Sequence, residues 1–241
     1  MGKKWLFFIL GLVLIGLSGL GLAQFPSSAP VGGGGMVKIP DTPPVVALTF
    51  DDGPQSTTTP RLLDELALRE IPATFFLVGE RIPGNQELVR RMAREGHQIG
   101  VHSYSHRQLT DLSRDEFARE VDETRAQLTQ LLGQENYWLR PPYGIIDPSV
   151  QRWSDGPIIL WSLDSLDWED RNTPRIVSDV LSQVQDGDVI LFHDIYPTTV
   201  DAVIKIADTL LERGWCFATV EQLMAARNVP PEDGLLVRRV E

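Results

Sequence analysis

From residue 45 onward the chain alternates short apolar runs with longer amphipathic stretches, and no other feature limits its fold so tightly. The apolar runs, at residues 45–50, 73–78, 98–102, 137–140, 158–163, 188–193 and 217–220, have the length and continuity of strands covered on both faces. The stretches between them carry a helical period. Residues 61–69 set Leu62, Leu63, Leu66 and Ala67 on one side, and residues 86–95 do the same with Leu88, Val89 and Met92. Residues 113–132 form the longest of these stretches, opening on the capping-box pattern Ser113-Arg114-Asp115-Glu116 and stopping before Gly133. Thr173 and Pro174 open a further helix as N-cap and first helical residue, and Gly214 closes another over residues 200–213. Strands separated by helices pair in parallel through crossover connections. Evenly spaced units favour a closed or nearly closed ring over an open doubly wound sheet, and 241 residues fall short of a regular eight-unit barrel with its leader. The expected fold is α/β: a distorted (β/α) barrel of about seven parallel strands in a single domain.

The flanks read differently. Lys3 and Lys4 precede an uncharged apolar run at residues 5–23 that ends in Gly21-Leu22-Ala23, the layout of an export signal. Cleavage after Ala23 and retention as a membrane anchor both remain open, and either places the rest of the chain outside the cytoplasm, secreted or in the cell envelope. Residues 24–44 read as a Gly/Pro/Ser-rich linker, 45–227 as the domain, and 228–241, with Pro230-Pro231, as a C-terminal extension. The formal net charge of −11 argues against nucleic acid as a partner and against an anionic membrane surface, so an N-terminal anchor is the one membrane contact expected. Cys216 is the single cysteine; it excludes an intrachain disulfide and reads as a small apolar residue beside a buried strand.

Polar residues gather where the apolar runs end, which in β/α barrels is the end that carries chemistry. The first run passes into Asp51-Asp52-Gly53-Pro54 and the third into His102-Ser103-Tyr104-Ser105-His106. The fourth ends in Arg140-Pro141-Pro142-Tyr143, the fifth in Asp164-Ser165-Leu166-Asp167-Trp168, and the sixth in Leu191-Phe192-His193. Singly, each has a structural reading: an Asx turn, a surface histidine pair, an ion-pair arginine, a satisfied core histidine. His97 precedes its strand, faces the opposite end and is expected to be structural. Jointly they read otherwise. Of four histidines, three lie at run ends beside carboxylates. Two imidazoles with one carboxylate suit a divalent transition metal that keeps open positions, with Asp51 placed as base and His193 as acid.

At these five motifs, over residues 45–220, the chain resembles the polysaccharide deacetylases of carbohydrate esterase family four. The resemblance implies a distorted (β/α) barrel in which Asp52, His102 and His106 bind one divalent metal, zinc foremost, with cobalt or another transition metal as alternatives. It implies Asp51 as general base, His193 as general acid and a water held by the metal as nucleophile. Arg140 would orient Asp51, and Asp167 would pair with His193 and raise its pKa. The backbone N–H of Tyr143 would help stabilise the oxyanion, and Trp168 and Leu191 would wall the acetyl methyl. The implied reaction removes N-acetyl groups from GlcNAc units of an acetylated polysaccharide, peptidoglycan or a chitin-like oligomer. An O-acetyl (xylan) esterase and a non-catalytic carbohydrate-binding protein stand as alternatives. Val101 departs from the Asn common in the family before the first metal histidine, a change expected to be local.

Overall fold

The first strand shows how the sequence pattern becomes architecture. Every side chain from Val46 to Asp51 is buried. Val46, Leu48 and Phe50 pack with helix residues such as Leu62, Leu66 and Val203, whereas Ala47, on the other face, packs with Phe76, Trp138 and Val189. A strand covered on both sides has no exposed face to mark with alternating polarity, so it reads as a continuous apolar run.

The computed structural model describes residues 42–241, which lie within the compact unit Pro40–Glu241. The expected export signal and most of the expected linker fall outside the described residues. The strands are β1 (Val45–Asp51), β2 (Thr74–Leu77), β3 (Gln98–Val101), β4 (Ile158–Ile159), β5 (Leu163–Asp164), β6 (Val189–His193), β7 (Cys216–Phe217) and β8 (Leu236–Val237). The helices are α1 (Thr59–Leu68), α2 (Gln86–Arg94), α3 (Arg114–Leu132), α4 (Pro148–Trp153), α5 (Asp167–Asp170), α6 (Thr173–Gln183), α7 (Pro197–Glu212) and α8 (Val220–Ala226). Among the described residues no helix is long and apolar enough to cross a membrane.

The ladder runs β3-β2-β1-β6-β5 with every pair parallel, and β7 adds to the start of β1. The ring is completed by thinner connections. Leu139 bridges to Val101 on one side and to Ile158 on the other, each in parallel, and β4 pairs with β8. The segment from Ile158 to Asp164 therefore touches Leu139 at its beginning and β6 at its end, with a break in regular pairing between. The fold is the expected parallel α/β architecture, with a wall that is regular on one side and irregular on the other.

Several expected elements differ in detail. Residues 137–140 do not form a strand: Leu139 alone bridges, to Val101 and to Ile158, and the next residue, Arg140, has a wholly buried side chain. The run at 158–163 splits into β4 and β5. The last expected strand shrinks to β7, since Thr219 instead caps α8 with its side chain accepting from the Gln222 N–H. Cys216 is exposed, not buried. Asn172 rather than Thr173 caps α6, its side chain accepting from the Arg175 N–H. Residues 228–241 pair into the domain: β8 joins β4, the Val240 N–H donates to the Gly187 carbonyl at 2.9 Å, and Val237 and Val240 are buried.

The inward positions change character along the strands. β1 presents Ala47, then Thr49, then Asp51; β6 presents Val189, Leu191 and His193. Gly100 of β3 leaves room at mid-height, where a Cβ would stand 2.5 Å from the Phe76 ring. The floor is apolar and closed by α8 and the β8 segment through Val220, Leu223, Met224, Val237 and Val240. The rim is polar.

Candidate active site

Asp52, His102 and His106 each offer a ligand atom within 4.8 Å of the others. Asp52 Oδ1 lies 3.2 Å from His106 Nε2 and 3.7 Å from His102 Nε2. Ligand atoms around a tetrahedral zinc at ordinary bond lengths stand roughly 3.3 Å apart, so the spacing fits a divalent cation. Two further observations fit as well. Asp52 Oδ1 is buried and makes no hydrogen bond, which leaves its lone pairs available to a cation. His102 is also buried, and its Nδ1 lies 2.7 Å from the Arg140 carbonyl, which makes Nδ1 the protonated nitrogen and leaves the Nε2 lone pair facing Asp52. Burial alone would raise the Asp52 pKa, but His106, His102 and His193 around it hold the carboxyl well below the usual range. Burial lowers the His102 pKa and favours its neutral, ligating form.

The backbone is shaped to bring these groups together. Among the described residues eight non-glycines have positive φ, and Asp52 (72°), Ser103 (63°), His106 (61°) and Tyr143 (63°) are four of them. Such conformations persist only where surroundings enforce them, and these four gather at one rim. Arg81 Nη1 donates to the Asp52 carbonyl at 2.7 Å, and the His106 N–H donates to Ser103 Oγ at 2.8 Å.

Asp51 and His193 are Cα partners across the β1–β6 ladder, yet their neighbours treat them oppositely. Asp51 Oδ1 accepts from Arg140 Nη1 at 2.8 Å, and both side chains are almost fully buried. Every guanidinium nitrogen has a partner: Nη1 also reaches Thr49 Oγ1, Nε reaches the Ile159 carbonyl, Nη2 reaches the Leu160 carbonyl, and its carbon sits 4.2 Å from the Phe76 ring centroid. His193 Nδ1 lies 2.7 Å from Asp167 Oδ1, while Asp167 Oδ2 accepts from the His193 N–H and from Thr199 Oγ1, each at 2.7 Å. Burial alone would lower the His193 pKa; the hydrogen bond and charge of Asp167, with Asp51 and Asp52 beyond, outweigh it and raise the value to about 9. Nε2 is left to face the cavity.

That cavity measures about 460 Å³ and is lined by Asp51, Asp52, His102, His106, Tyr143 and His193 on its polar side. Leu191, Trp161, Trp168 and Tyr196 make the apolar side, and Asp164 completes it with a carboxyl whose pKa burial raises. The Tyr143 ring stands 4.8 Å from the His106 ring, and its backbone N–H has no hydrogen-bond partner among the described residues.

A family model described as Polysaccharide deacetylase matches residues 38–154. Over 179 residues, 74% of this chain and 38% of the relative, the chain is 41% identical to the peptidoglycan-N-acetylmuramic acid deacetylase PdaC of Bacillus subtilis. Over 192 residues, 78% and 41% respectively, it is 38% identical to the peptidoglycan-N-acetylglucosamine deacetylase PgdA of Listeria monocytogenes. The solved structure of a family 4 acetyl xylan esterase from Clostridium thermocellum, in complex with a cobalt ion, matches with a TM-score of 0.78 at 32% identity, over 81% of this chain and 98% of that one. The chain belongs to the polysaccharide deacetylase family. It spans about two fifths of the length of PdaC and PgdA.

Within this polysaccharide deacetylase fold, the ten residues singled out from sequence converge. Eight line the cavity, while Arg140 and Asp167 stand directly behind Asp51 and His193. Val101 is buried in the core and pairs with Leu77. His97 is structural as expected: Nδ1 accepts from the Ala73 N–H at 3.1 Å, and its ring meets Phe75 edge-on. Sequence reasoning missed Trp161 and Tyr196 in the lining, Thr199 behind Asp167 and Glu120 behind the His102–His106 loop. Thr199 carried no signal, being one polar residue in a helix. Glu120 did carry one: it shares the buried stripe of α3 with Phe117, Val121, Thr124 and Leu128, where a charge is out of place.

Proposed function

We propose that this chain is a metal-dependent hydrolase that removes N-acetyl groups from GlcNAc or related units of an extracytoplasmic polysaccharide, peptidoglycan foremost. One observation carries the reading: a three-ligand cluster lies between a carboxylate held by an arginine and a histidine held by a carboxylate, all around one cavity. The names of PdaC and PgdA support the peptidoglycan substrate. Asp52, His102 and His106 would hold the ion, with zinc favoured by two nitrogen donors and one oxygen donor. When bound, a divalent cation supplies a Lewis acid for the acetyl carbonyl and acidifies water.

The chain's own residues do the rest. Asp51, oriented by Arg140, takes the proton from the attacking water. The free N–H of Tyr143 donates to the oxygen that gains negative charge as the carbonyl carbon becomes tetrahedral. His193 Nε2 gives its proton to the departing nitrogen, and Asp167 stabilises the charged ring until that moment. An amine is a poor leaving group, so a well-held acid matters as much as the base. Trp168 and Leu191, on the apolar side of the cavity, would flank the acetyl methyl.

The match to an acetyl xylan esterase supports a second reading, O-deacetylation, because the same groups would cleave an ester. Acetate release from chitooligosaccharide, peptidoglycan fragments and acetylated xylan, each before and after EDTA treatment and zinc readdition, separates them. Release from the first two, abolished by EDTA and restored by zinc, is expected. Release from xylan alone would overturn the N-deacetylase reading, and full activity in the chelated enzyme would overturn the metal.

A further inference from the structure

Glu120 is 7% exposed, lies in the second turn of α3 and is not among the residues that line the cavity. Its carboxyl makes three hydrogen bonds, all with the loop between His102 and His106. Oε2 accepts from the Tyr104 N–H at 3.0 Å and the Ser105 N–H at 2.8 Å; Oε1 accepts from Ser105 Oγ at 2.6 Å. The opposite edge of the same loop is gripped by backbone, where the Gly79 N–H donates to the Ser103 carbonyl at 3.0 Å and the Glu80 N–H to the Tyr104 carbonyl at 2.9 Å. The loop thus passes between two clamps, and its two left-handed residues, Ser103 and His106, lie at either side of the Glu120 contacts.

Among the described residues Glu120 makes no ion pair. A buried carboxylate without a cation is expensive, and hydrogen bonds to neutral donors offset only part of the cost. Holding a loop does not require a charge: a glutamine placed there would accept both backbone N–H bonds through one oxygen and donate to Ser105 Oγ through its amide nitrogen. The feature that a charge would match lies across the loop, at the Asp52, His102 and His106 cluster.

We propose that Glu120 is a positioning residue for the metal ligands, which sets the His102–His106 loop so that both Nε2 atoms converge on Asp52 and whose negative charge raises the affinity of the site for a divalent cation. The proposal rests on the reading of that cluster as a metal site. Supporting groups behind ligands commonly change metal affinity by tens-fold when altered. The test is Glu120→Gln in the full chain, which keeps the hydrogen bonds and removes the charge, beside Ser105→Ala, which removes one hydrogen bond and keeps the charge. Zinc affinity is measured by competition with a chromogenic chelator, the ligand field by the visible absorption of the cobalt-loaded protein, and fold integrity by thermal unfolding in EDTA. Zinc binding about tenfold weaker in Glu120→Gln, with a shifted cobalt band and a wild-type unfolding temperature in EDTA, is expected, and Ser105→Ala is expected within threefold of wild type. A Glu120→Gln protein that binds zinc within twofold of wild type overturns the proposal, as does a Ser105→Ala loss of equal size. Wild-type protein that binds no zinc would instead sink the metal reading itself.

Discussion

Asp51 and His193 sit side by side in a parallel ladder, and each is backed by a group of opposite charge, Arg140 for one and Asp167 for the other. Asp51→Asn preserves size and leaves Arg140 an acceptor but cannot take a proton. Its kcat on chitooligosaccharide is expected to fall roughly 10²-fold or more, with zinc affinity within a few-fold of wild type. A comparable activity in the two proteins would remove Asp51 from the base role. Asp167→Asn keeps an acceptor for His193 Nδ1 and removes the charge that holds the ring protonated. Because His193 must carry its proton to act as the acid, the rate falls as pH rises through its pKa. The Asn variant is therefore expected to lose activity at lower pH than wild type, and NMR titration of the His193 ring should show the same downward displacement. A bound dication also pulls the His193 value down from about 9, so the comparison belongs at matched zinc saturation.

At the level of single elements, the sequence is most legible where a helix terminus carries its own hydrogen bonds. Ser113 caps α3 reciprocally with Glu116, and Gly133 closes it in the left-handed conformation, as the sequence pattern predicts. Ser113→Ala is expected to lower unfolding free energy by about 1 kcal/mol in urea titration without changing kcat. An unchanged midpoint would show that the cap adds nothing beyond the packing of the stripe. The strands with full ladders, β1, β2, β3 and β6, were legible from apolar length alone. Residues 137–140 and 158–163 were not, because their pairing is interrupted: Leu139 makes isolated bridges, and the carbonyls of Ile159 and Leu160 accept from the buried Arg140. The rim residues were legible because barrel strands deliver side chains to a common end. Trp161 and Tyr196 escaped because they reach the cavity from irregular segments, for which spacing along the chain says nothing about direction.

Over the whole molecule, polarity rises from a sealed floor to an open rim, so stability and chemistry occupy different levels. His97 belongs to the stability side. Burial lowers its pKa to about 4, against 6.5 when exposed. Between those values the unfolded chain takes up a proton that the folded chain refuses, so this histidine's contribution is present above about pH 6.5 and is lost as pH falls toward 4. Relative to a His97→Asn variant, wild type is expected to lose on the order of 3 kcal/mol across that window, measured by denaturant unfolding at several pH values. Parallel curves for the two proteins would place the acid sensitivity elsewhere. The irregular side of the ring also acquires a purpose at this scale. Where β4 gives way to β5, the carbonyls of Ile159 and Leu160 are turned toward Arg140 instead of toward a neighbouring strand. Without those two carbonyls the guanidinium would keep only Thr49 and Asp51 as hydrogen-bond partners at the centre of the fold. The break in the barrel therefore acts as a hydration shell made of backbone, and a permanent positive charge can live in the interior because the architecture around it is imperfect.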